Sequence, residues 1–118
     1  MKPLADAILS EQGLFAWLKS GLWRRGFDHG SLTRAAGYAN TRTTKLAEVD
    51  HEPGESIIAE ALVKGSGSAS YITRVGLFKI GQTWKIEAEC ACPVGHFCKH
   101  GAALVMLVME KIEPSKKV

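Results

Sequence analysis

Residues 90–100 read CACPVGHFCKH, and they hold all three cysteines of the 118-residue chain with two of its four histidines. Four kinds of chemistry use such residues: a disulfide, a cysteine nucleophile, a redox-sensitive thiol and a metal site. A bridge between Cys90 and Cys92 would close a very small, strained ring. A nucleophilic cysteine needs His100 as its base and an oxyanion hole beside it. The spacing favours a metal. Cys90-x-Cys92 and Cys98-x-His100 supply two ligand pairs, and zinc takes four tetrahedral ligands, commonly thiolate sulfur and imidazole nitrogen in structural sites. Four protein ligands close the shell and leave no position open to water, so the expected ion is structural, not catalytic. His96 lies between the pairs and reads as a bystander, the alternative being that it replaces His100. Oxidation of the thiolates would be a route to metal release.

Such ligands must be brought together by the elements on either side. Upstream, Gln82 to Glu89 alternates: Trp84, Ile86 and Ala88 on one face, Thr83, Lys85, Glu87 and Glu89 on the other. Pro93 and Gly95 end this strand. Downstream, Lys99 to Ile112 reads as a helix that is apolar nearly all round and must be buried, with Pro114 stopping it. Cys98 and His100 therefore sit at a helix start, whose first amides and dipole favour a site of net negative charge.

Three more strands are expected at Lys45–Asp50, Ser56–Lys64 and Ser70–Lys79, separated by HEPGE, GSGSA and IGQ. None of these connections has room for a crossover helix, so antiparallel pairing is expected, with the last two strands forming a hairpin. Before them, Leu4, Ile8, Phe15 and Leu18 recur at helical spacing and predict an amphipathic helix over 4–20, weakened at Gly13. Ser31 is the expected cap of a short helix running through Tyr38 and ending near Asn40. The fold class is α+β: an N-terminal helical segment (1–26), an antiparallel sheet of about four strands and a zinc-pinned C-terminal helix (27–113), with a flexible tail at 114–118.

Composition bounds the rest. With 46% hydrophobic and 23% charged residues and a formal net charge of +3, the chain reads as one ordinary globular domain and is not polybasic. Its longest apolar run, AALVMLVM, is too short to span a bilayer, and no clean signal-peptide core is present. A cytoplasmic, reducing compartment is expected, where clustered cysteines hold metal more often than they form disulfides.

CACPVGHFCKHGAAL resembles the SWIM zinc finger, whose pattern is CxC, a variable spacer and CxH. Cys90, Cys92, Cys98 and His100 match its four ligand positions one for one. The Pro after the second Cys, the Lys between Cys98 and His100 and the Ala-rich helix start match common variants. The likeness is closest over residues 84–108 and looser over 27–83, through Phe27, Arg34–Tyr38 and the strands around Ile58–Val63 and Tyr71–Val75. It does not reach the first two dozen residues. It is similar to bacterial SWIM proteins, some attached to Swi/Snf-type helicase-like ATPases. The resemblance implies zinc (Zn2+) and suggests a DNA-binding or protein-interaction role, with DNA or a protein such as a helicase-like ATPase as partner; with the ligand shell closed, no enzymatic activity and no small-molecule substrate are expected.

For nucleic acid the foremost candidate contacts are Arg24, Arg25, Arg34, Arg74 and Lys99; Arg42, Lys45, Lys64, Lys79 and Lys85 are further cations. Trp23, Tyr38, Tyr71 and Trp84 are the aromatics that could stack on bases; Trp84 is assigned to the core, and Trp23, beside Arg24 and Arg25, is the one to test. The alternative is a scaffold module without nucleic-acid contact, in which Met106 and Met109 make adaptable contacts.

Overall fold

A computed structural model describes residues 4–40, 42–65 and 69–112. The elements run α1 (Leu4–Ser10), α2 (Leu14–Lys19), a 3-10 turn (Leu22–Gly26), α3 (His29–Ala35), β1 (Thr44–Glu52), β2 (Ser56–Lys64), β3 (Ser70–Ile80), β4 (Thr83–Cys90) and α4 (Lys99–Ile112). The fold is α+β as expected, with one four-stranded antiparallel sheet in the order β1-β2-β3-β4. The expected tail at 114–118 lies outside the described residues.

Alternation decides which face is covered. Ile57, Ala59, Ala61 and Val63 of β2, Val75 and Leu77 of β3, and Trp84, Ile86 and Ala88 of β4 are all buried on one side. Against that side lie the buried Ala102, Ala103, Leu104, Val105 and Val108 of α4, with Leu4 and Ile8 of α1 and Leu14 and Leu18 of α2 in the same cluster. The N-terminal helices thus share one core with the sheet. No helix among the described residues is long and apolar enough to cross a membrane.

Three expectations are corrected. The helix over 4–20 is two helices: Gly13 has φ of +79°, a left-handed conformation that a helix cannot continue through. The cap of α3 is Asp28, not Ser31, with the Asp28 carboxylate accepting from the Ser31 N–H at 2.7 Å, and α3 stops at Ala35 rather than Tyr38. Trp23 is not free to stack on a base: it is 1% exposed, edge-on to Phe27 with ring centroids 5.7 Å apart.

Candidate metal centre

The site forms where β4 ends and α4 begins. Cys90 is the last residue of β4, and its partner across the hairpin is Thr73 of β3. The chain then turns through 91–98 and comes back beside β4, where the Cys90 N–H donates to the Gly95 carbonyl at 2.7 Å and the Phe97 N–H to the Ala88 carbonyl at 3.1 Å. Phe97 adopts a left-handed φ of 48°, which non-glycine residues rarely do. Its ring holds it there, edge-on to Phe27 at 5.2 Å and so close over Gly26 that a Cβ on Gly26 would meet it at 2.6 Å. The loop's return delivers Cys98 and His100 to the first turn of α4.

Cys90, Cys92, Cys98 and His100 converge so that their ligand atoms all lie within 4.8 Å of one another. His100 Nδ1 is 3.5 Å from Cys90 Sγ and 3.6 Å from Cys98 Sγ. A tetrahedral zinc with bonds of about 2.3 Å to sulfur and about 2.0 Å to nitrogen requires S···N edges of about 3.5–3.6 Å. The donor set therefore fits one zinc ion. Cys92, Cys98 and His100 are buried and Cys90 is half-buried. His96 is exposed, bridges Glu89 across the loop, and stands outside the group.

The surroundings act on Cys92 and Cys98 in opposite directions. Burial pushes the Cys92 thiol up, but N–H groups of Gly95 and Val94 and the neighbouring cysteines outweigh it, so its pKa is lowered. Burial dominates at Cys98 and, with Cys90 beside it, raises the thiol to about 12 despite the Gly101 N–H. Three thiolates in one pocket repel, and a bound cation is what deprotonates a coordinating thiol outright. Burial, with Lys99 nearby, lowers the pKa of His100, which favours the neutral imidazole that binds metals. Its Nε2 is buried without a hydrogen-bond partner among the described residues. With Nδ1 bound to a metal, Nε2 would carry the proton; the His100 ring packs against the rings of Tyr38 and Tyr71, with centroids 5.1 and 5.2 Å away.

Sequence reasoning missed Thr73, fully buried, whose Oγ1 is 3.2 Å from Cys90 Sγ, and the two tyrosines around His100. A usable clue existed for Thr73. The two-residue connection Gly81–Gln82 pairs Ile80 with Thr83, and stepping back along both strands sets Thr73 opposite Cys90.

The expected nucleic-acid contacts do not form one patch. Arg74 is on the outer face of the sheet, bonded to Glu60 at 2.9 Å, with Glu89 and Glu48 also near. Arg24 lies over the Trp23 ring at 5.3 Å and lines a groove with Phe15 and Met106. Arg25 points into a different groove, beside β4. Arg34 sits near the Asp28 carboxylate on α3, and Lys99 lies over the Tyr38 ring at 5.2 Å. Trp84 is in the core as assigned. Glu87 and Glu89 are exposed on the opposite face of β4.

No family model, curated protein or solved structure matches the chain.

Proposed function

We propose that this protein is a non-catalytic module of the SWIM type, shaped by one structural zinc on Cys90, Cys92, Cys98 and His100, that serves DNA binding, in the setting of a helicase-like ATPase. The observation that carries the zinc reading is the pair of Sγ···Nδ1 separations, 3.5 and 3.6 Å, the edges of a tetrahedral zinc site. The DNA reading rests on Arg24, Arg34 and Lys99, exposed or half-buried on the helical side of the sheet, of which Arg24 and Lys99 have no carboxylate bonded to them among the described residues and Arg34 lies near Asp28. Arg74 is the weaker candidate, since Glu60 bonds it and Glu89 and Glu48 lie near it as well.

Metal analysis of protein purified without chelator should give one zinc per chain, lost in Cys98→Ser. Full folding with no zinc would overturn the reading. DNA affinity should fall with salt and weaken in Arg24→Glu and Arg34→Glu, while Arg74→Glu leaves it nearly unchanged.

One observation favours the alternative, a protein scaffold without nucleic-acid contact. Across the outer sheet face the register lines up Glu48, Glu60, Arg74 and Glu89, with Asp50 and Glu87 in the next row. That face repels phosphate. Salt-insensitive recruitment of a protein, with no DNA binding at low salt, would decide for the scaffold.

A further inference from the structure

Beta strand β4 is an edge of the sheet, and the loop that carries the metal ligands covers only its last part. That loop pairs with β4 through the Cys90 N–H and the Ala88 carbonyl, around the bridge between Glu89 and His96. These bonds set the parity of the strand: Ala88 and Cys90 address the open edge with their main-chain groups. Main-chain direction alternates along an antiparallel strand, so Trp84 and Ile86 address the same edge. Among the described residues nothing pairs with them on that side.

A groove of about 470 Å³ lies along this stretch. All five consecutive residues Thr83–Glu87 line it. Successive side chains alternate faces, so a groove touched by five in a row follows the edge rather than one face. Trp17, Leu22, Phe97 and Arg25 also line the groove. Lys85 is held by Glu87 at 3.4 Å, whereas Arg25 is exposed and has no carboxylate partner among the described residues.

We propose that this groove is a β-augmentation site, which takes one short extended segment of another polypeptide as a fifth strand beside β4. Main-chain groups of the segment pair with those of Trp84 and Ile86, continuing the ladder that the loop begins at Ala88. An apolar side chain packs against Trp17, Leu22 and Phe97, and an Asp or Glu side chain meets Arg25. At about 3.3 Å per residue, the stretch from Thr83 to Glu87 engages about five residues of such a segment. A nucleic-acid strand has no amide ladder to offer here. The inference rests on the zinc-module reading only through Phe97, which the metal-binding loop supplies.

The test uses the 118-residue chain at verified zinc content, so loss of the metal and failure of the groove are told apart. A random linear-peptide library is selected on it. Selected peptides should carry an apolar residue and an acidic one, and should slow exchange of the Trp84 and Ile86 amides at least about tenfold in nitrogen-15 spectra. Leu22→Glu and Arg25→Glu lie at exposed wall positions and should keep the fold's spectrum. Each should weaken binding by about tenfold, and Arg25→Glu should turn the selected charge from acidic to basic. The proposal is overturned if no peptide is enriched, or if protection maps to another surface. It is equally overturned if a thymidine oligonucleotide protects the same amides, or if they become protected with rising protein concentration alone, which would give the edge to a second copy.

Discussion

Thr73 has no place in a ligand pattern, yet its hydroxyl is fully buried beside the Cys90 sulfur at 3.2 Å. The hydroxyl has two acceptors in reach, the Tyr71 carbonyl at 3.4 Å and the nearer Cys90 sulfur; donated to a Cys90 thiolate, it would stabilise the deprotonated form that binds metal and orient the sulfur. Loss of such an outer partner typically weakens metal affinity by about 10–100-fold. Thr73→Val, nearly equal in volume, should therefore lower zinc affinity by about tenfold or more in competition with a chelating dye, and Thr73→Ser should restore most of it. Equal affinity in the valine variant would remove Thr73 from the site. At this scale the four converging side chains were legible because ligand chemistry demands specific residue types at short spacing. Their neighbours were not. Tyr38, Tyr71 and Thr73 come from distant parts of the chain and look like any aromatic or strand residue until the fold places them.

At the scale of elements, alternation and turn residues carried the strands well, and β2 runs over the expected Ser56–Lys64 without change. The hairpin register follows from its two-residue turn, and the buried face of β4 follows from its period. The N-terminal helix was misread because hydrophobic spacing on both sides of Gly13 keeps a helical period while the backbone between does not. What the break accomplishes is visible only in three dimensions. It sets Glu11, 8% exposed, against the β1–β2 turn, where its carboxylate accepts from the Gly54 N–H at 3.0 Å and from His51. The hydrogen bond from His51, and then that from Gly54, lower the Glu11 pKa against the opposing effect of burial. A carboxyl with a folded pKa below its unfolded one binds fewer protons in the native state. Its contribution is thus complete above the unfolded value, 4.5, and is lost as pH falls through the folded one. Glu11→Gln should destabilise the protein by about 1–3 kcal/mol at neutral pH in urea unfolding. The difference from wild type should shrink below about pH 4.5, the zinc contribution to both curves cancelling. A constant difference from neutral to acid pH would assign Glu11 a packing role only.

For the whole molecule, charge and burial are divided between the two sides of one sheet. Helices, apolar core and metal site occupy one side, and the acidic rows occupy the other, where Glu60 and Arg74 form a bonded cross-strand ion pair in the central row. A net charge of +3 hides this division, which is why composition alone left the choice of partner open. The same division governs what the metal can stabilise. Helix α4 is held twice, by Cys98 and His100 at its start and by Ala102, Leu104, Val105 and Val108 in the shared core. Zinc sites in small peptides contribute on the order of 10–16 kcal/mol, as much as the whole stability of a typical domain at roughly 5–15 kcal/mol. Part of that energy is spent ordering a loop that has little apolar burial of its own: in 91–97 only Cys92 is buried, and Phe97 sits at a left-handed φ. Chelation should therefore release residues 91–100 first, seen as fast amide exchange there, while β1 and β2 keep their protection. It should also lower the melting temperature by at least about 10 °C, since each lost kcal/mol moves a domain of this size by roughly 4–8 °C. Identical melting with and without chelator would mean that the core holds the junction unaided. In that case the four ligands would be present for some purpose other than shape.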